Sequence, residues 1–260
     1  MLAAQRRQRI LDEVHRVGGV RVSELTALLG VSDMTVRRDL DRLGREGLLE
    51  KVHGGATALP ERSSDEPGFE AKSVRELAEK HAIAQAAARL VEPGQAVALS
   101  AGTTTWVLAH HLLAIPGITV VTNSIKIADV LREKHTVVLV GGVRTPSDAL
   151  VGPVADLVLR SLHFDIAFLG CHGMAPIGLT TPNLGEAQTN RAFVQAARRL
   201  VITADSTKWG TAGLMTFAAL SDIDVLVTDD GLSAEARELL QVRVGRLDVV
   251  ATTPSVVAAL

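Results

Sequence analysis

The stretch "VSDMTVRRDLDRLGREG", residues 31–47, decides how the first part of this chain folds. At about 100° per residue, Val36, Leu40 and Leu43 fall on one apolar stripe, which is the period of an amphipathic helix facing a core. Ser32 stands where an N-cap is needed, Asp33 suits the positive end of the helix, and Gly47 breaks it. With that stripe turned inward, Arg38 and Arg45 point outward, with Thr35 and Arg42 on one side and Arg37 on the other. Met34 faces out in the first turn. This set suits a helix that reads a DNA groove. Arginine reaches guanine edges in a bidentate way, and Met or Thr can touch a thymine methyl. Some of the arginines would bind phosphates, which fixes register and reads no sequence. For an isolated Arg-rich helix the alternative is a solvated face whose arginines pair with Asp41 and Glu46.

The flanking sequence favours the first alternative. "QRRQRILDEVHRVG" (5–18) has Ile10, Leu11, Val14 and Val17 near helical spacing and stops at Gly18-Gly19. "VSELTALLG" (22–30) predicts a short helix with Ser23 as N-cap and Gly30 as stop. "LLEKVHGGA" (48–56) predicts a short strand and a Gly-rich turn, with His53 at the tip either touching the DNA backbone or serving as an ordinary turn residue. Helix, short helix, turn, helix and wing is the order of a winged helix-turn-helix. The DNA-facing candidates are therefore Ser32, Met34, Thr35, Arg37, Arg38, Arg42 and His53.

Residues 20–56, "VRVSELTALLGVSDMTVRRDLDRLGREGLLEKVHGGA", resemble the signature of the DeoR family of bacterial sugar-metabolism regulators. The matching parts are Ser32, Thr35 to Leu40, Leu43, Gly47 and His53 to Ala56, and the likeness can be followed over nearly the whole chain. The resemblance implies binding of double-stranded operator DNA, as a repressor, and a C-terminal sensor for a phosphorylated sugar or related anion.

Composition is compatible with this. Of 260 residues, 47% are hydrophobic and 22% charged, enough to bury a core and too apolar for global disorder. Residues 1–60 carry ten Lys and Arg against eight Asp and Glu, and the net charge of the chain is −2, a weak asymmetry that matters only if the basic groups share a surface. Cys171 is the one cysteine, which excludes an intrachain disulfide and a cysteine-based metal cluster. No apolar run reaches the ~18 residues that cross a bilayer. The start, "MLAAQRRQRILDEV", becomes charged at once and lacks the apolar segment of a signal peptide, so a cytoplasmic protein with no membrane partner is expected.

Residues 57–76, "TALPERSSDEPGFEAKSVRE", mix Pro, Ser, Gly and charge without periodicity, a linker composition. The expected division is a DNA-binding domain over 1–57, a linker over 58–76 and a sensor over 77–260. Beyond a helix over 77–91, short apolar strands near 96–99, 118–121, 136–140, 164–169, 199–203, 224–228 and 247–251 alternate with helical patterns. That alternation predicts an α/β domain with a mainly parallel sheet covered on both faces, whose ligands sit at the C-terminal strand ends. The family resemblance implies a fold like that of ribose-5-phosphate isomerase.

The candidate ligand residues lie at those strand ends. In "SAGTTTW" (100–106), Gly102 permits close backbone approach, and Thr103, Thr104 and Thr105 offer amides and hydroxyls at a helix N-terminus; the pattern fits an anion cradle or an ordinary Thr cap. "VVTNS" (120–124) supplies Asn123, "LVGGV" (139–143) supplies Gly141 and Gly142, and "ITADSTKWG" (202–210) supplies Asp205 and Lys208. Lys208 is a charge partner for an anion, and Asn123 and Asp205 are candidates for sugar hydroxyls. No cofactor, metal or catalytic residue is expected. The isomerases that the sensor resembles carry an Asp-Gly-Ala-Asp-Glu run after a central strand, where this chain has Leu169-Gly170-Cys171-His172-Gly173, so a receptor is favoured over a sugar-phosphate isomerase. Two positions depart from the family pattern: Ser100 stands where an Asp is usual and Asn190 where a Lys is common, with Arg191 as a substitute cation. A homo-oligomer, dimer or tetramer, is expected, because two reading heads double the DNA contacts.

Overall fold

Between Gly30 and Ser32 the chain turns sharply, and that turn sets two helices of a small N-terminal unit against each other. A computed structural model describes residues 3–57, 63–66 and 68–252, and the chain divides into two units, Met1–Glu61 and Arg62–Leu260. The first holds α1 (Ala3–Val17), β1 (Gly19–Arg21), α2 (Val22–Leu29), α3 (Asp33–Arg45), β2 (Glu50–Val52) and β3 (Gly55–Thr57). Ile10, Val14, Leu25, Val36, Leu40 and Leu43 are buried together at its centre. Gly30 takes a left-handed conformation, φ 64°, and its N–H closes on Thr26 O, which ends α2. Two sequence expectations shift here. Helix α2 begins at Val22, two residues early, so Ser23 is not its cap; the Arg21 N–H donates to Glu24 Oε2 at 2.8 Å instead. Residues 19–21, not read as a strand, pair with β3, and the order β1-β3-β2 makes an antiparallel wing. Gly55 is obligatory there, because a Cβ would lie 2.1 Å from Val20 O.

The second unit is built on a seven-stranded parallel sheet. Its strands are β4 (Ala96–Leu99), β5 (Thr119–Thr122), β6 (Thr136–Leu139), β9 (Ile166–Leu169), β12 (Leu200–Thr203), β14 (Val225–Asp229) and β15 (Leu247–Val250), in the order β15-β14-β12-β9-β4-β5-β6. Each expected strand is present within two residues, since runs buried on both faces stay apolar throughout. Side chains alternate between two cores. Val97, Leu99, Ile166 and Phe168 pack on one face with α5 (Leu77–Ala88) and α6 (Thr103–Leu112). Ala98, Ala167 and Leu169 pack on the other with α8 (Pro153–Arg160) and α9 (Leu184–Ala196). Helices α7 (Ile125–Leu131) and α10 (Ala234–Arg243) complete the layers.

Three features were not read from the sequence. A hairpin of β7 (Val143–Arg144) and β8 (Leu150–Val151) follows β6. A three-stranded antiparallel sheet combines β10 (Gly173–Ala175), β11 (Gly178–Thr181) and β13 (Met215–Ala218). And part of the expected linker is ordered on this unit: α4 (Phe69–Ser73) donates Phe69 N–H to Pro146 O at 3.3 Å and sets Phe69 edge-on to Trp106, centroids 6.0 Å apart. Among the described residues no helix is long and apolar enough to cross a membrane.

Candidate functional site

On the first unit, α3 turns its polar face to solvent. Ser32 caps it, accepting from Thr35 N–H at 3.4 Å, and the two hydroxyls lie 2.9 Å apart. Met34 is 60% exposed, a large apolar side chain on an otherwise polar surface. Arg37 pairs with Asp33 at 2.5 Å and Arg42 with Glu46 at 2.8 Å. Arg45 donates to Asp41 O at 3.2 Å, and Lys51 of the wing pairs with Asp41, whose carboxyl this bond holds below its ordinary range. Arg38 differs. Among the described residues it and His53 are exposed side chains with no partner inside the protein. The seven candidates thus lie on one helix face and its wing, with Ser32 and Thr35 engaged in the cap.

Sequence reasoning missed Asp39, which is 5% exposed and pairs with Arg6 at 2.5 Å and Arg7 at 3.7 Å. It ties α1 to the back of α3 and so sets the angle at which the outward face is held. An acid between the apolar stripe residues Val36 and Leu40 was the signal that could have found it.

On the second unit, the C-terminal strand ends gather the remaining candidates. Helix α6 starts from Gly102 with no side-chain cap and no acid in its first turn, so its leading N–H groups face outward unneutralised. Thr104 is 7% exposed, and its hydroxyl has no partner among the described residues; Thr103 is half-buried and likewise free. The Thr105 hydroxyl is engaged, donating to Ser100 O at 2.7 Å, so that residue offers only its backbone N–H to a ligand. Lys208, on the 3-10 turn Ser206–Lys208, is half-buried, and its ammonium has no hydrogen-bond partner among the described residues.

The other four candidates each make contacts within the scaffold. Asn123 is buried with both ends of its amide engaged: Oδ1 accepts from Ala101 N–H at 2.7 Å, and Nδ2 donates to Leu150 O at 3.1 Å. It positions the Thr loop from behind, with one amide N–H and one carbonyl lone pair still uncommitted. Gly142 has φ 133°, and a Cβ there would lie 2.4 Å from Val151 O, so it answers to the close approach of β8, while a Cβ on Gly141 would lie 3.1 Å from Val154 of α8. Asp205, 1% exposed, accepts from Thr207 N–H at 3.1 Å and caps the turn that carries Lys208. Ser100 accepts from Gly170 N–H at 3.4 Å and joins the exits of β4 and β9. Arg191 is exposed, and its guanidinium donates to Thr216 O.

Charged groups that sequence reasoning had not singled out line the same rim. Lys80 is 4% exposed and donates to Lys72 O at 2.6 Å and to Arg75 O; burial lowers its pKa to about 8. Its signal was in the sequence, since Ile83, Ala84 and Ala87 follow it at helical spacing. Lys72 is also lowered by burial, and Glu186, which accepts from Thr145 at 2.7 Å and Thr181 at 3.2 Å, is raised by it. Burial pushes the Cys171 thiol up to about 12, which leaves it unsuited to nucleophilic work. Among the described residues no cluster of His, Cys, Asp and Glu could hold a metal.

Residues 6–62 match the DeoR-like helix-turn-helix domain and residues 75–230 the DeoR C terminal sensor domain. The transcriptional regulator GlpR of Haloferax volcanii is 38% identical, over 93% of this chain and 95% of its own. YgbI of Escherichia coli K12, named as an uncharacterized HTH-type transcriptional regulator, is 37% identical over 92% and 95%. The lactose phosphotransferase system repressor of Streptococcus mutans is 34% identical over 88% and 93%. A ribose 5-phosphate isomerase structure from Methanocaldococcus jannaschii aligns with 50% of this chain and 53% of its own at 17% identity and a TM-score of 0.38. In both of its units, the chain belongs to the DeoR family of helix-turn-helix transcriptional regulators.

Proposed function

We propose that this protein is a sequence-specific repressor of a carbohydrate-catabolism operon, acting in the cytoplasm as a dimer or tetramer and modulated by a phosphorylated sugar bound at the rim of its second unit. The observation that carries the reading is a pairing within one chain. Among the described residues, an arginine without an internal partner stands on the open face of a helix-turn-helix, and on a separate α/β unit an uncapped helix N-terminus with a buried, unpartnered Thr104 follows β4 while Lys208 follows β12, at the same end of one parallel sheet. The N–H groups of Thr103 to Thr105 and the ammonium of Lys208 are the groups that would hold a phosphate. The names of relatives such as the lactose phosphotransferase system repressor support the sugar class.

Effector control needs a coupling of only ~1–3 kcal/mol, roughly 5–150-fold in operator affinity. The test has two steps. A thermal-shift screen of sugar phosphates against the full chain identifies ligands, because binding to the native state alone raises stability by mass action. Each hit is then titrated into an operator gel shift. Thr104→Ala and Lys208→Ala should keep DNA binding and blunt the response; a normal response from both variants would place the effector elsewhere. Turnover of any pentose phosphate by the full chain would replace the receptor reading with an enzymatic one.

A further inference from the structure

The segment that sequence composition marks as a linker is latched to the second unit by side chains far away in sequence. Glu66 accepts from Asn183 Nδ2 at 2.9 Å and from Ser147 Oγ at 3.1 Å. Lys72 donates to Ser147 Oγ at 2.8 Å. Lys80 holds the end of α4 from below through Lys72 O and Arg75 O. At the other edge Phe69 lies against Trp106, on the first turn of α6 beyond Thr103 to Thr105. Lys126 sits 4.7 Å over the Phe69 ring and pairs with Glu70 at 3.0 Å. The segment therefore crosses the C-terminal ends of the parallel strands as a strap, running from β8 and α9 to α5.

Two properties make this strap more than packing. It is the part of the second unit through which the chain arrives from the DNA-binding unit. And its own cation is incompletely satisfied: Lys72 has three donors, and its one hydrogen-bond acceptor among the described residues is the neutral Ser147 hydroxyl, while the Glu66 oxygens accept from Ser147 and Asn183. Burial disfavours the Lys72 ammonium more than the nearby Glu186 and Glu66 carboxylates restore it, and Lys208 adds repulsion, so an anion between the two lysines would relieve a cost already present.

We propose that the strap of Glu66 and residues 68–76 is the roof of the anion site, that Lys72 exchanges Ser147 Oγ for the bound anion, and that the strap carries the site's occupancy to the DNA-binding unit. This rests on the reading of the α6 N-terminus as the anion site. Contact of Lys72 with the anion draws the strap down, and the chain leading to the reading head is drawn with it.

Hydrogen exchange of the full chain with saturating inorganic phosphate reads the two parts separately. Slower exchange in both 102–106 and 68–76 is the expected result. Slower exchange in 102–106 alone would leave the anion site standing and overturn the roof. No change in either segment would remove the anion site and the roof together. Lys72→Met should weaken phosphate binding about tenfold, and an unchanged affinity overturns its role. Asn183→Asp keeps the acceptor that caps α9 and turns a carboxylate toward Glu66. It should speed exchange of 68–76 about tenfold, leave phosphate affinity within about threefold, and change operator affinity at least about threefold without any effector. Faster strap exchange with unchanged operator affinity would overturn the transmission to the reading head.

Discussion

Helices α3 and α6 present the same positive end to their surroundings and treat it in opposite ways. The N-terminus of α3 is closed from within: Ser32 caps it, Asp33 sits in its first turn, and Asp33 also holds Arg37. The N-terminus of α6 is left open, with Gly102 at the cap, no acid in the first turn and Thr104 unpartnered beneath it. A helix end that is neutralised internally has no need of a ligand, and one that is not is a standing anion site. On the proposed reading, the head would meet DNA through side chains beyond its cap, Arg38 above all, whereas the sensor would meet its anion through backbone N–H groups. The contrast says where each function is vulnerable: side-chain deletion on α3, and added charge on α6.

The largest effect is expected at Arg38. Arg38→Ala should weaken operator binding by ~1–3 kcal/mol in fluorescence anisotropy and leave phosphate binding unchanged. A variant that binds operator like wild type would remove Arg38 from the interface and with it the claim that the unpaired arginine does the reading. Next comes an internal anion for α6. Thr103→Asp supplies the charge that the helix lacks, so phosphate affinity should fall at least about tenfold, roughly 1.4 kcal/mol, while the fold is kept or slightly stabilised by the helix dipole. Undiminished phosphate binding, measured by calorimetry, would show that the open end of α6 is not the site.

How far these places could be read in advance follows from the range of the interactions that form them. The outward face of α3 was legible because its register depends on Val36, Leu40 and Leu43 within one helix, and the parallel strands because burial on both faces leaves no polar interruptions. Asn123 and Gly142 stood at the right strand ends for a ligand, but the same residue types also satisfy a loop and admit a neighbouring strand; only the bonds to Ala101 and Leu150, and the approach of Val151, separate the two uses. The strap looked like a linker because its order is tertiary. Glu66 meets Asn183 across 117 residues and Lys72 meets Ser147 across 75, and no local period records such contacts.

A smaller effect tests the closed end of the comparison. Ser32→Ala removes the cap of α3 and should cost about 1 kcal/mol of stability in the first unit, seen as a lower melting transition. Operator affinity, measured well below that transition, should fall only slightly, since the Ser32 hydroxyl is engaged with Thr35. A loss as large as that of Arg38→Ala, with stability intact, would make Ser32 a direct DNA contact in place of a structural cap.

The smallest effect is also the most discriminating, because its sign is opposite to that of the others. Asp33 lies on the surface that would face DNA, and it occupies the Arg37 guanidinium. Asp33→Asn removes one negative charge from that surface and frees one positive group, at the cost of a weaker complement to the helix dipole. If α3 docks as proposed, operator affinity should rise about two- to threefold at low salt, and the slope of log affinity against log salt should steepen by up to about one ion. The gain should fade as salt is raised, because it comes from a phosphate contact and not from a base. A loss of affinity at every salt concentration would mean that the Asp33–Arg37 pair orients Arg37 for its contact, and the closed N-terminus of α3 would then be part of the reading surface and not merely its anchor.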